Sequence, residues 1–192
     1  MTMDTSSPSN TNIGKAPGSY LPESLNPHGY QSLNDVLALA TKKFADRPVF
    51  TSVGRTLTYR ELGEKSDAFA AYLQHETDLM PGDRIAVQLP NVIQYPVVLF
   101  GAMKAGLIVV NTNPLYTPKE LEHQFNDAGV KALVVFANMA HNVEKILAKT
   151  SIKHVIITEI ADFHSPLKRL LVNSVVKYVK KMVPAYHISG AV

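Results

Sequence analysis

Glu120 and His123 stand three residues apart, a spacing that places both side chains on one face of a predicted helix. Pairs of this kind supply ligands to carboxylate-bridged metal sites, which combine two such pairs with further acids. This chain has one such pair, and its seven histidines show neither an HxxxH nor an HExxH spacing. We therefore interpret Glu120 and His123 as a solvated helix face and assign no metal-binding residue to the chain.

The motifs of phosphate binding and nucleophilic catalysis are missing from the sequence. It contains no GxGxxG, no GxxxxGK[ST] and no GxSxG segment, and it contains no cysteine. These gaps exclude a Rossmann or P-loop nucleotide site, a serine-hydrolase elbow, a cysteine nucleophile and a zinc thiolate site. We assign no catalytic and no cofactor-binding residue to this chain.

The loop Asn111-Thr112-Asn113-Pro114 follows a predicted buried strand and leaves two interpretations open. In the first, the asparagine side chains form Asx-type turns that redirect the chain. In the second, the loop lies beside a substrate pocket, because open parallel sheets bind ligands at the carboxyl ends of their strands.

Residues 163–192 carry the basic character of the chain. This segment has no Asp or Glu and five cations, which exceed the net charge of +3 of all 192 residues. A local basic surface indicates a negatively charged partner rather than a generally cationic protein. The five cations are Lys168, Arg169, Lys177, Lys180 and Lys181.

An amphipathic helix is predicted between Ser165, as N-cap before Pro166, and Pro184. One interpretation is an interfacial helix on anionic lipid, in which the five cations are the membrane-contact residues. The other is a surface helix that packs its apolar side on its own domain and leaves its basic side in solvent. The segment is a single helix without a known nucleic-acid-recognition motif, which argues against nucleic acid as the partner.

The preceding part of the chain alternates strands and helices, which predicts an α/β fold with a mostly parallel βαβ sheet. A helix over 32–45, a hairpin at 49–57 and a helix from the Thr58/Glu61 capping box to His75 come first. The strands that follow are continuous apolar runs, typical of strands covered on both faces. We predict strands at 84–89, 107–111, 132–136 and 154–158, and helices at 92–104, 118–127 and 138–149.

Three segments follow from this pattern. Residues 1–28 are rich in Ser, Thr, Asn and Pro, lack the apolar stretch of a secretory signal, and are predicted to be a flexible arm. Residues 29–160 form the α/β part, and residues 161–192 form the basic amphipathic helix and a short tail. The absence of cysteine fits a reducing, cytoplasmic setting.

Several segments in order resemble the opening of the AMP-forming acyl-CoA synthetases. They are LTYREL at 57–62, PGDRIA at 81–86, GAMKAG at 101–106 and NTNP at 111–114. Residues 83–127 and the segment LKRLLVNSVVKYVKKMVPAY are similar specifically to bacterial long-chain fatty-acid–CoA ligases. The resemblance covers nearly all of the chain from about Asn26 and implies that residues 29–160 are part of the large N-terminal, AMP-binding domain of an adenylate-forming enzyme.

The resemblance implies a two-step reaction that uses ATP, Mg²⁺ and coenzyme A to convert a long-chain fatty acid into its thioester. It also implies that the enzyme forms a homodimer and acts at the inner face of the membrane. The family's phosphate loop, nucleotide contacts and catalytic lysine lie beyond the last residue, so we expect a truncated N-terminal part that is inactive alone. Two alternatives remain: a non-catalytic module that binds anionic membrane or a partner chain, and a misfolded remnant with an exposed sheet edge.

Overall fold

Residues 29–192 are described by the structure, a computed structural model. The flexible arm predicted for residues 1–28 lies outside the described residues. Ser32–Val192 forms a compact unit, and the boundary that we place after residue 160 stays a prediction.

Local sequence signals position the first elements. Helix α1 (Leu33–Phe44) begins at Ser32, whose hydroxyl accepts a hydrogen bond from the Asp35 backbone N–H. Strands β1 (Pro48–Ser52) and β2 (Arg55–Thr58) pair antiparallel. The tight turn between them holds Val53 and Gly54 at positive φ, 50° and 73°.

Helix α2 (Tyr59–His75) begins at the predicted capping box. The Thr58 hydroxyl accepts from the Glu61 backbone N–H, and the Glu61 carboxylate accepts from the Thr58 backbone N–H. These hydrogen bonds, together with the neighbouring Arg55 guanidinium, hold the pKa of Glu61 below its ordinary value. The capping-box prediction is confirmed.

Four parallel strands form the central sheet of residues 29–192, in the spatial order β4-β3-β5-β6. The sheet confirms the α/β prediction, and its strands fall within two residues of the predicted bounds. They are β3 (Arg84–Gln88), β4 (Ile108–Asn111), β5 (Val130–Phe136) and β6 (His154–Thr158). The main helices that connect or follow them are α3 (Gln94–Lys104), α4 (Pro118–Asp127), α5 (Ala140–Glu144) and α6 (Pro166–Ser174).

The two faces of this sheet bury two separate hydrophobic clusters. Ile85 and Val134 point to the face covered by α2 and α3, whereas Ala86 and Leu133 point to the face covered by α4 and α5. Each fully buried large aliphatic side chain contributes roughly 1.5–3 kcal/mol relative to exposure. The apolar runs in β3 and β5 therefore supply a three-layer α/β/α core.

Gly101 shows what the GAMKAG segment does for the fold. A Cβ at Gly101 would lie 2.8 Å from the Phe69 ring and 2.9 Å from the Ser66 carbonyl oxygen. Because α2 and α3 approach this closely, their contact requires a residue without a side chain. At the end of the segment, Gly106 turns the chain into β4 with φ 80°.

Two predictions from periodicity are wrong in detail. The helix predicted over 138–149 is three short pieces, with 3-10 turns at Ala137–Met139 and Leu147–Lys149 on either side of α5. The break falls at Ile146, whose φ of −121° lies outside the helical region. Strand β4 lies at the edge of the sheet, so its Ile108 side chain stays half exposed rather than covered on both faces.

Helix α6 is shorter than the sequence predicts. It starts at Pro166 as expected, but the chain changes to a π-helical turn at Val175–Val179 and leaves the helix at Lys180. Lys181 adopts φ 52°, and the Met182 backbone N–H donates to the Val176 carbonyl. The residues beyond it reach the outer edge of β6, where Val192 hydrogen-bonds to Val155 and Ile157.

Candidate functional site

The carboxyl ends of β3 and β5 are where an open parallel sheet of this topology would bind a ligand, because the strand order reverses direction there. Gln88 ends β3 with its side chain fully buried. Its amide nitrogen lies 3.5 Å from the Asn113 carbonyl, and its Oε1 has no hydrogen-bond partner among the described residues. Asn138, after β5, donates to the Met182 carbonyl at 2.7 Å, so this amide is used within the chain.

The Asn111-to-Pro114 loop uses its polar groups internally as well. Asn113 Oδ1 accepts from the Leu115 backbone N–H at 3.0 Å, which is the Asx-type turn predicted from the sequence. Asn111 Oδ1 accepts from the Tyr95 hydroxyl at 2.9 Å, and the Asn111 carbonyl accepts from the Gln124 amide. The Asx-type turn is confirmed at Asn113, and the interpretation that the loop lies beside a substrate pocket stays a prediction.

Glu120 and His123 do not converge on a site. The Glu120 carboxylate closes a capping box with Thr117 at the start of α4, and these hydrogen bonds lower its pKa. His123 is exposed. Residues 29–192 contain no grouping of three or more His, Cys, Asp or Glu side chains placed to hold a metal ion.

Asp162 is the centre of a polar cluster that fixes the start of the basic segment. Its Oδ2 accepts from the Thr158 hydroxyl at 2.8 Å and from the Glu159 backbone N–H at 2.7 Å. Its Oδ1 accepts from Arg169 Nε at 3.0 Å and lies 3.4 Å from Asn173 Nδ2. Asn173 is buried, and its Oδ1 accepts from the Ala161 backbone N–H.

This polar cluster decides the orientation of α6. Arg169 and Asn173 face the rest of the chain, so the helix packs through its polar side and turns its apolar side to solvent. Within residues 29–192 this apolar side is exposed, and both interpretations of the helix stay predictions. The exposed side chains are Leu167, Leu170, Leu171, Val175, Tyr178, Val179 and Met182.

The five predicted membrane-contact cations are all exposed, but they have different surroundings. Arg169 is tied to Asp162, whereas Lys177 lies 5.7 Å from the ring of Tyr178. Lys168 reaches the hairpin turn, where its Nζ is 3.8 Å from the position of a Cβ on Gly54. Lys180 and Lys181 lie at the helix end.

Asp162 and Asn173 are the residues that sequence reasoning missed. Neither belongs to a motif, and periodicity places Asn173 on the solvent side of an amphipathic helix. The only available signal is the polar residue in the middle of an apolar stretch, which cannot reveal a partner on a different element.

Two open grooves flank this region. One, of about 490 Å³, runs along α6 between Glu159 and Tyr178. The other, of about 400 Å³, is mainly apolar and lies between α2, α3 and β6, with Lys65, Phe69 and Phe163 among its lining residues. Neither is lined by a glycine, so neither presents the glycine-rich backbone of a phosphate-binding loop.

The model of the family described as AMP-binding enzyme matches residues 37–186. This chain belongs to the AMP-binding enzyme family. It is 51% identical over 172 residues to a long-chain-fatty-acid–CoA ligase of Escherichia coli O157:H7, a match that covers 90% of this chain and 31% of that protein. The chain therefore spans about a third of the length of such relatives.

Solved structures agree with the fold. A long-chain-fatty-acid–CoA ligase from Archaeoglobus fulgidus matches with a TM-score of 0.61 and 26% identity, over 66% of this chain and 27% of that one. A benzoate CoA ligase from Burkholderia xenovorans matches with a TM-score of 0.61 and 20% identity, over 82% of this chain and 30% of that one. At 20% identity the second match shows the fold alone. The resemblance and the fold class predicted from the sequence are confirmed.

Proposed function

We propose that this chain supplies the N-terminal part of a long-chain fatty-acid–CoA ligase. In that reaction a fatty-acid carboxylate attacks the α-phosphorus of ATP to give acyl-adenylate and pyrophosphate, and the thiol of coenzyme A then displaces AMP. The observation that carries this proposal is the 51% identity over 172 residues to a ligase of that specificity. The family match to AMP-binding enzymes supports the use of ATP.

The residues described here do not fit ATP and Mg²⁺ by themselves. The strand ends that would receive a nucleotide carry no glycine-rich phosphate loop, and the Asn138 amide there already bonds within the chain. We therefore propose that the 192-residue chain does not form acyl-CoA alone. Its role is to provide the α/β layer on which the remaining machinery of such an enzyme is assembled.

A chimera tests this proposal directly. Residues 37–186 replace the matching segment of the Escherichia coli O157:H7 relative, and acyl-CoA formation from a long-chain fatty acid is measured. We expect activity within tenfold of the relative for the chimera and none for the 192-residue chain. A soluble, folded chimera without activity would contradict the ligase assignment, and acyl-CoA formation by the chain alone would contradict its inactivity.

A second candidate function is peripheral binding at the cytoplasmic face of an anionic membrane, with Lys168, Arg169, Lys177, Lys180 and Lys181 as contacts. The observation that favours it is an exposed cationic segment with no acidic residue from 163 to 192. Within residues 29–192, none of the helices has the length and apolar character needed to cross a membrane. A second copy of the chain is the competing partner for the same surface.

Vesicle sedimentation tests the second candidate. We expect the 192-residue chain to bind vesicles containing 25% anionic lipid, to bind neutral vesicles at least tenfold more weakly, and to lose affinity as salt rises. Equal binding to both vesicle types would contradict a cationic contact.

A further inference from the structure

The outer edge of β6 is occupied by the chain itself. Val192 donates its backbone N–H to the Val155 carbonyl at 3.1 Å, and the Val192 backbone oxygen accepts from the Ile157 N–H at 2.8 Å. A residue that donates to residue i−1 and accepts from residue i+1 of a neighbour makes the hydrogen-bond pair of a parallel ladder. Val192 therefore lies opposite Ile156 as a one-residue extension of the parallel sheet.

The side chains on this edge alternate as that register requires. Val155 belongs to the hydrophobic cluster on the sheet face covered by α4 and α5, and Ile157 packs against the same cluster. Ala191, which the register places beside Val155, also packs against it, whereas the Val192 side chain is 71% exposed. Because successive side chains of a strand point to opposite faces, this packing agrees with the register given by the hydrogen bonds.

The residues before Val192 are held against the same cluster. Tyr186 and Ile188 pack on it, and burial raises the pKa of the Tyr186 hydroxyl above its ordinary value. The chain then turns towards β6, with Gly190 at φ 73° and the Ala191 N–H 3.4 Å from the Ile188 carbonyl. We call residues 186–192 the strap, because they combine this apolar packing with backbone pairing.

Asp162 limits how far a strand can pair along this edge. Alternate residues of a strand direct their backbone groups to the same side, so Glu159 is the next residue after Ile157 to face outward. Its N–H is already bonded to Asp162 Oδ2 at 2.7 Å. Charged side chains at sheet edges interrupt strand pairing in this way. The edge therefore suits a short extended segment and not a long strand.

We infer that the outer edge of β6 is a strand-addition site for a short, extended, parallel segment, and that the strap fills it from within the chain. Added strands gain affinity from main-chain hydrogen bonds and specificity from side chains on one face. Val192 supplies the first, and Tyr186, Ile188 and Ala191 supply the second. While the strap is in place, this edge is closed to strand pairing with a second copy of the chain. The inference goes beyond the ligase assignment and does not depend on it.

Hydrogen exchange tests whether the strap occupies the edge. In the 192-residue chain, Val192→Pro removes the N–H donor, whereas Val192→Ala keeps the backbone groups and alters an exposed side chain. We expect Val192→Pro to accelerate exchange of the Ile157 amide at least tenfold and Val192→Ala to change it less than twofold. The Val134 amide, in β5 between β3 and β6, is the internal reference and is expected to stay protected in both variants.

A synthetic peptide tests whether the vacated edge accepts a strand. The peptide has the sequence of residues 184–192 and a fluorescein at its N-terminus, and its binding is followed by fluorescence anisotropy. We expect it to bind the Val192→Pro chain, whose own strap is released, at least tenfold more tightly than the Val192→Ala chain, whose site is filled. A peptide that itself carries Val192→Pro is the control and is expected to bind neither chain.

Each outcome decides the inference. If the Ile157 amide exchanges equally fast in both variants, Val192 does not hold the edge and the inference fails. If exchange accelerates but the peptide binds neither chain, the strap covers the edge without marking a strand-addition site, and the inference also fails. If the Val192→Pro chain forms dimers in which the Ile157 amide is protected again, a second copy supplies the strand and the site stands. The chimera assay judges the ligase assignment separately.

Discussion

The central strands of the sheet bury their aliphatic side chains, whereas helix α6 exposes side chains of the same types to solvent. In β3 and β5 the aliphatic side chains of Ile85, Leu133 and Val134 are at most 1% exposed, and helices cover both faces. In α6 the leucines point to solvent, and the helix contacts the rest of the chain through Arg169 and Asn173. Apolar burial holds the first region together, whereas a polar cluster holds the second.

This difference separates side chains that stabilise the chain from side chains that do not. Residues that are buried on folding contribute to the free energy of unfolding, and exposed apolar residues contribute little to it. The exposed side chains of α6 thus contribute little to the stability of this chain. Substitutions in the two regions are expected to differ accordingly.

Shortening a leucine in each region gives the largest expected contrast. We expect Leu133→Ala to lower the free energy of unfolding by about 2–5 kcal/mol, because it leaves a cavity in the sheet core. We expect Leu171→Ala to change it by less than about 0.5 kcal/mol, because the side chain is in solvent. Urea unfolding measures both, and equal losses would show that α6 buries its apolar side after all.

Removing the buried amide of α6 tests the polar cluster. Asn173→Ala takes the acceptor from the Ala161 backbone N–H and is expected to cost about 1–3 kcal/mol. Because the loss is local, proteolytic cleavage within α6 is expected to accelerate while the core stays folded. Ser174→Ala is the neighbouring control, and an Asn173→Ala chain as resistant as that control would contradict the role of the cluster.

The N-termini of α2 and α6 are expected to differ less in their contribution to the free energy of unfolding. Thr58→Ala removes the capping box of α2 and is expected to cost about 1 kcal/mol in the free energy of unfolding. Ser165→Ala is expected to cost nothing measurable, because among the described residues the Ser165 hydroxyl makes no capping hydrogen bond. Thermal unfolding of the two variants decides this, and a destabilised Ser165→Ala would place a cap where the structure shows none.

The smallest expected effect is the pH dependence of the free energy of unfolding that comes from Asp78. The hydrogen bond from His154, assisted by Lys153, lowers the pKa of Asp78 from 3.8 to about 2. Because the folded-state pKa lies below the unfolded value, the stabilisation is present above about pH 4 and is lost as pH falls towards 2. Asp78→Asn is expected to flatten the fall in stability over this window, measured by urea unfolding, relative to Asp46→Asn. An unchanged slope would contradict the shift.

The sequence was sufficient for elements whose signals are local. Thr58 with Glu61 predicted the start of α2, and the Asn113 turn was expected from Asx chemistry. The apolar runs predicted the strands of a parallel sheet, and the ordered motifs led to the AMP-binding family. These features depend on residues within a few positions of one another, so no distant contact was needed to recognise them.

Features that depend on contacts between distant elements were missed. Periodicity over 138–149 predicted one helix where the structure has three short pieces. The residues of β4 alone do not indicate that this strand lies at the edge of the sheet. The five cations of residues 163–192 are exposed, but the sequence did not predict their different surroundings. Arg169 differs from Lys168 only because Asp162 reaches it from the end of β6.

The amino-acid sequence alone therefore determined the α/β class, the start of α2 and the amphipathic character of residues 166–182. Only the tertiary structure decided which side of that helix faces solvent. An amphipathic pattern fixes the angle between apolar and polar side chains, because that angle follows from helical geometry. It does not fix the rotation of the helix, because that rotation depends on partners on other elements, here the hydrogen bonds of Asn173 to Asp162 and to the Ala161 backbone N–H.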